Sequence, residues 1–526
     1  MSSVANAPRM TRLALRQEVR WIPISVVVFA LTYLATLKQL SDLAGTVADR
    51  RGMQQSLTGN PALQLLLGPL DHIETVASTV SWRIGLFMLT AFGVLVAFTV
   101  NRHTRREEES GQLELAGSAA VGRLAPLVAA VAVAAVLTVL TALVTSVPFL
   151  GYGATGHQIV LQMAQYAGVG VAVTGVTLLI AQVATTARQV SSITSALVLG
   201  GYLLRGAADT NSAVSWLKWT NPIGWAQTMD PYGAGSWWGL LWCVLLGAAG
   251  LGSAVVLRDR RDLGSGLITP RPGPSGSSGL RSVPAVLWQA QWRTFTGWVV
   301  GVLAFGLIVG SLVSSVADTS GVPAQFQEYL RKLGGPGALT GAFLSAMAVF
   351  FSAAVAFWLV SLVADLRRWE TRGQLELALS TARSRRAWLA TTAIMGVVGS
   401  VLLLLVAAAG VALLARSQIG VTDVFRALLV QAPAAWLIFT IALLLFAVRP
   451  AWTAAGWVVA ALAVLVGELG AAFGLPGWAL DLSPFTHTPR VPQVPITWTP
   501  LVLMTALGAL LLAIATAAFD RRDIPQ

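Results

Sequence analysis

Residues 111–116 read Gly-Gln-Leu-Glu-Leu-Ala, and residues 373–378 read the same six letters again, 262 positions later in a chain of 526. The surroundings agree as well. An arginine pair precedes each copy (Arg105-Arg106, Arg367-Arg368), a glutamate stands three residues before each glycine (Glu108, Glu370), and basic residues follow (Arg123; Arg383, Arg385, Arg386). Two weaker echoes keep the same order. Asp259-Arg260-Arg261-Asp262-Leu263 returns as Asp520-Arg521-Arg522-Asp523-Ile524, and Leu57-x-Gly59-x-x-Ala62-Leu63 returns as Leu333-x-Gly335-x-x-Ala338-Leu339. Marks that keep their order while their offset drifts indicate a duplicated unit that has accepted loop insertions. The chain therefore reads as two related halves, 1–257 and 286–526, joined by a linker at 258–285. The run from Pro270 to Gly279 within it, rich in Pro, Gly and Ser, has the composition of a flexible connector.

Each copy of the motif is a polar island between long apolar runs. Hydrophobic residues make up 55% of the chain and charged residues 11%, with a mean hydropathy of +0.71. That is more apolar surface than a soluble core could hide, so the chain reads as an all-α polytopic membrane protein. Twelve runs have the length a helix needs to cross the hydrocarbon layer. They lie at about 21–38, 79–100, 124–147, 158–185, 192–207, 238–257, 294–316, 341–364, 388–415, 426–447, 452–473 and 499–519; the fifth is short. The runs are continuous and do not alternate with period two, which excludes a barrel. Six spans per half is an even number, so the two six-helix repeats are parallel. Placing both termini in the cytoplasm puts 24 of the 35 basic residues on cytoplasmic segments, as the positive-inside rule requires. The net charge of +12 then reads as topology and contact with anionic lipid, not as nucleic-acid binding.

Arg9, Arg12, Arg16 and Arg20 share one helical face, which predicts an interfacial elbow helix before the first span; an ordinary basic flank is the alternative. Leu287 to Arg293, with Trp288 and Trp292, predicts a second before the seventh span. Between the first two spans lies an outer segment of about 40 residues, too long for a plain connector. A second outer region holds Trp216, Trp219, Trp225, Trp237 and Trp238, a density that marks the membrane–water interface. Its Asn221-Pro222 has a counterpart in Ser483-Pro484, 262 residues on. Glu468, near the outer end of the eleventh span, is the clearest intramembrane charge and a candidate in the substrate pathway.

Several chemistries are excluded. The three lysines, Lys38, Lys218 and Lys332, never follow a glycine, so there is no P-loop. Cys243 is the single cysteine, and His72, His103, His157 and His487 are scattered over expected loops, which argues against a metal site.

Six plus six spans, elbow helices, and Glu-x-x-Gly-Gln-Leu-Glu-Leu between the second and third spans of each half resemble a permease of the type-2 ABC exporter class. The outer Asn221-Pro222-Ile223-Gly224-Trp225-Ala226-Gln227 and Trp237-Trp238 are similar to actinobacterial exporters of polyketide antibiotics, including tetronasin-type exporters and mycobacterial multidrug efflux permeases. The resemblance implies a transport subunit that binds no cofactor itself. A separate cytosolic ATPase, in two copies, would carry ATP and Mg, and a small hydrophobic or amphipathic substrate would pass between the halves and leave the cell. It also implies that Glu107, Glu108, Gly111, Gln112, Leu113, Glu114 and Leu115, with Glu370, Gly373, Gln374, Leu375, Glu376 and Leu377, form two cytoplasmic coupling helices. The alternative is a proton-coupled secondary transporter of the major facilitator type. Its loop motif expects Gly-Arg flanked by further basic residues and an aspartate, whereas Gly122-Arg123 stands alone here.

Overall fold

The computed structural model describes every residue except 1–2, 58–60, 118–120, 211, 259, 261–265, 267–281, 318–335, 372, 376–383, 470–475 and 523–526. Most of the linker at 258–285 thus lies outside the described residues. Among those described there is no strand. Contacts divide the chain into two compact units, Met1–Gly273 and Pro274–Gln526. Among the described residues twelve helices are long and apolar enough to cross a membrane, and the chain is an all-α polytopic membrane protein. The first unit holds Trp21–Leu43, Val76–Glu109, Ala125–Tyr152, Gly156–Val183, Ala187–Thr210 and Trp238–Arg258. The second holds Val283–Val313, Thr340–Thr371, Arg385–Ala415, Val421–Val448, Pro450–Gly467 and Trp498–Arg521. Each expected span falls on one of these, and the fifth is a full helix of 24 residues.

The two units begin differently. In the first, the interfacial helix Ala7–Gln17 exposes Arg9, Arg12 and Arg16, buries Ala7 and Ala14, and packs on the third span. A turn at 18–20 separates it from the first span. Pro23 explains the break, because it has no N–H for the Val19 carbonyl and its ring crowds the preceding turn. The separate elbow expected at Leu287 to Arg293 is not present. Helix Val283–Ala317 runs through it unbroken. Its single proline, Pro284, sits in the first turn, where the missing N–H costs nothing.

Within each unit one pair of spans crosses at glycines. A Cβ on Gly175 of the fourth span would overlap the Gly247 carbonyl of the sixth, and one on Gly247 would lie 2.6 Å from the Val171 oxygen. In the second unit the seventh and ninth spans meet in the same way. There a Cβ on Gly306 would lie 2.6 Å from the Ala407 oxygen, and one on Gly310 2.5 Å from that of Val411. In lipid, helices associate by close packing of this kind, since the apolar solvent supplies no hydrophobic drive. The core of the first unit also carries a polar bond, with the buried Tyr33 and Tyr166 hydroxyls 3.0 Å apart between the rings of Phe92 and Phe149.

At the end of the spans opposite the motif, the long segment after the first span folds into helices Val47–Leu57 and Pro61–Leu67 before the second span begins at Val76. Arg50, 3% exposed, holds it together by donating to the carbonyls of Ala44, Gly45, Ile73 and Glu74 at 2.8–2.9 Å. Nearby, Arg205 is fully buried against Asp209 (3.2 Å) and the Leu66 carbonyl (2.9 Å). The tryptophan-rich region becomes the short helices Ser212–Thr220 and Pro222–Thr228; Asn221 caps the latter by accepting the Gly224 N–H at 2.8 Å. Ser483 caps Pro484–His487 in the second unit in the same manner.

Candidate coupling site

The described residues of the two copies fold alike. Gly111 and Gly373 lie in the left-handed region, with φ of +72° and +66°. Each closes the helix before it by donating its N–H to the carbonyl of the glutamate three residues back, Glu108 at 3.2 Å and Glu370 at 3.0 Å. An added Cβ would meet nothing within 4 Å at either position, so glycine is needed for the backbone angle and not for space. After the turn, Leu113 and Leu375 are buried while Gln112, Glu114 and Gln374 are exposed. Glu376 and Leu377 lie outside the described residues, as does the side chain of Leu115.

The glutamates point inward. Glu108 pairs with Arg105 at 3.2 Å, and Arg105, 1% exposed, donates to the Thr185 carbonyl at 2.6 and 3.1 Å. Asn101 makes a parallel tie, donating to the Ala187 carbonyl at 2.7 Å and Ser191 Oγ at 2.6 Å. The first motif is thereby fastened to the start of the fifth span. Glu370 pairs instead with Arg522, at 2.8 Å, just past the last helix. The Arg522 guanidinium stacks over Phe446 and Phe519, and its carbonyl accepts from Arg385 at 2.6 Å. Asp520 pairs with Arg386. The repeated Asp-Arg-Arg-Asp stretch thus closes the motif in the second unit; most of its first copy lies outside the described residues.

A third cluster was hidden from the sequence. His103 is not on a loop: it lies on the π-helical turn Arg102–Arg106 and is 1% exposed. The wider turn brings His103, Thr104 and Arg105 inward together. Its Nε2 lies 2.9 Å from Oε1 of Glu18, in the turn after the interfacial helix, and its Nδ1 lies 3.1 Å from Oε1 of Glu107. Arg102 also donates to Glu18, at 2.9 Å. Burial pushes the Glu18 carboxyl up, but bonds from His103 and Arg102 outweigh it and hold the group below its usual range. The spacing of four between His103 and Glu107 was readable; nothing in the sequence joined either to Glu18. In the second unit Gln291 donates to Asp365 at 2.6 Å, and Asp365 also pairs with Arg368.

The family model described as the C-terminal domain of the multidrug efflux system permease Rv1217c matches residues 280–520. The multidrug efflux system permease protein Rv1217c of Mycobacterium tuberculosis is 30% identical over 510 residues, 96% of this chain and 92% of that relative. The chain belongs to the multidrug efflux permease family. By that membership it is a transport protein. Two cavities of the permease lie away from the motif. A polar one of about 360 Å³ in the first unit is lined by Asp71, His72, Trp82, Asp209, Lys218 and Gln227 among others. An apolar groove of about 640 Å³ in the second unit runs between the tenth and twelfth spans, past Leu429, Trp436, Trp498, Leu501 and Val502, with Arg426 at its rim. Glu468 falls on the last turn of helix Thr453–Leu469, and its side chain lies outside the described residues.

Proposed function

We propose that this permease is the membrane-spanning subunit of an ATP-driven exporter of the type-2 ABC class. It moves hydrophobic or amphipathic compounds out of the cell, powered by a separate cytosolic ATPase. The observation that carries the reading is the duplicated turn. The glycine turn of both copies has the same backbone geometry, and each copy is anchored by a buried leucine and by an arginine–glutamate pair, buried in the first unit and partly buried in the second. Two equivalent projections on a chain without a nucleotide-binding loop suit a partner that presents two equivalent sockets, hence two ATPase copies holding ATP and Mg. Because Glu108 and Glu370 are committed inward, Gln112, Glu114 and Gln374 are the side chains offered to that partner. The motif-bearing face is cytoplasmic in this reading, with both termini, and the apolar groove beside Trp436 and Trp498 supports an apolar cargo taken from the membrane. No observation favours the secondary transporter.

A pull-down of the tagged, detergent-solubilised permease from its native cells tests this. Recovery of a cytosolic ATPase at about two copies per chain is the expected result. A monodisperse permease that brings none, and that moves drugs in vesicles on a proton gradient without ATP, would overturn it.

A further inference from the structure

The buried contact between the segment before the first span of each half and the end of the second span is made twice, with the polarity exchanged. His103 and Asp365 occupy the same place relative to the motif, 262 residues apart. In the first unit the entering segment brings the acid, Glu18, and the second span brings the base. In the second unit the entering segment brings an amide donor, Gln291, and the second span brings the acid. All four side chains are buried, with Glu18 2%, His103 1%, Gln291 7% and Asp365 7% exposed.

The chemistry of the two contacts differs in one respect. An ionised carboxylate only accepts hydrogen bonds, and a neutral imidazole has one donor. Both ring nitrogens of His103 face carboxylate oxygens, so both bonds are satisfied only by the imidazolium. The groups facing the ring are Glu18 across the gap, Glu107 and, through Glu18, Arg102 on its own helix. The interfacial helix and the third span add Met10, Gln17, Pro126 and Ala129, which do not titrate. The connector before the fifth span and the start of that span meet the same turn through Arg105 and Asn101. When the imidazolium loses its proton, one carboxylate is left against a lone pair in a closed site. The Gln291–Asp365 contact contains no imidazole: an amide donates to the carboxylate, and Arg368 pairs with it.

We propose that Glu18 and His103 are positioning residues that clasp the first motif to the interfacial helix only while the imidazole is protonated, so that the first half answers to pH on the motif-bearing face and the second does not. The consequence for transport rests on the coupling reading above; the clasp itself does not. As pH rises, the turn that carries Gln112 and Leu113 loses its tie to the interfacial helix, and one of the two projections loosens.

Hydrogen exchange on the full permease in nanodiscs, corrected for the intrinsic pH dependence of exchange, decides the matter. From about pH 6 to about pH 9, protection over residues 102–113 is expected to fall roughly tenfold, while protection over 363–371 stays constant. The triple variant E18Q/H103D/E107Q, which transplants the second unit's chemistry, is expected to be flat across the range. His103→Arg, a permanent cation, serves as a second variant should the triple fail to fold, and is expected to be flat as well. A wild-type profile without the fall, or a folded variant that follows the wild type, would overturn the clasp. Failure of any ATPase to co-purify would overturn the coupling reading alone, and the exchange profile would still decide the clasp.

Discussion

Glu370 and Arg522 are 152 residues apart in the chain and 2.8 Å apart in space, with side chains 6% and 12% exposed. The pair ties the second motif to the C-terminal end of the permease. Removing one member of such a pair strands the other charge, a cost of about 3–5 kcal/mol in fully buried cases. Arg522 keeps the Phe446 carbonyl and two aromatic faces, so the low end applies. Glu370→Gln should lower the thermal midpoint of the solubilised permease, and Glu370→Gln with Arg522→Met should recover most of the loss. If the double variant falls by the sum of the singles, the two residues act independently and the pairing carries no stability.

The positive φ of Gly111 and Gly373 predicts a ranking. Alanine there has room but not the right backbone, at a cost of about 1–2 kcal/mol, whereas asparagine tolerates this region better. The thermal midpoint of the solubilised permease should fall further for Gly→Ala than for Gly→Asn at either position. Equal losses would show that size, not conformation, is what matters at the turn.

Close crossing at glycine predicts a sharp size limit inside the membrane. Gly175→Val would press a branched side chain into the Gly247 backbone, and overpacking of this kind costs about 1–3 kcal/mol or more. Gly200→Val, on the fifth span with open space at its Cβ, is the matched control. Size-exclusion profiles after heating should show the first variant aggregating at lower temperature than the second; identical profiles would remove the crossing from the account of stability.

Glu18 predicts an acid limb. Its carboxyl is held below the ordinary value of 4.5, so its contribution is complete above that value and is lost as pH falls through the lowered one. The midpoint of the wild type should therefore drop more steeply below pH 4.5 than that of Glu18→Gln. Parallel curves would mean that the carboxyl is not held by His103 and Arg102 in solution.

The duplication and the number of spans were legible because each is a pattern within a short window: a repeat and a hydrophobic run. The destinations of the charged side chains were not. Glu108 and Glu370 sit on polar islands where a solvated carboxylate and a buried one look alike in sequence, and their partners differ between the halves, Arg105 in one and Arg522 in the other. His103 was assigned to a loop because a π-helical turn leaves no mark in hydropathy. The buried Arg50 was missed because what hides it is backbone carbonyls, which every residue has, and Arg205 because only its Asp209 partner four residues on, not the Leu66 carbonyl, is visible in sequence. The break before the first span could have been read from Pro23, and the continuity before the seventh from the lack of any proline after Pro284.

That last difference makes the two halves unlike as machines. Helix Val283–Ala317 has 35 residues, about 52 Å at the usual rise, against a hydrocarbon thickness of about 30 Å. Its first turns and its membrane-crossing turns form one continuous rod. In the first half the chain turns at 18–20, and Ala7–Gln17 and Trp21–Leu43 are separate helices. On the coupling reading proposed above, a push on the entering segment would reach the span directly in the second half and only across a turn in the first.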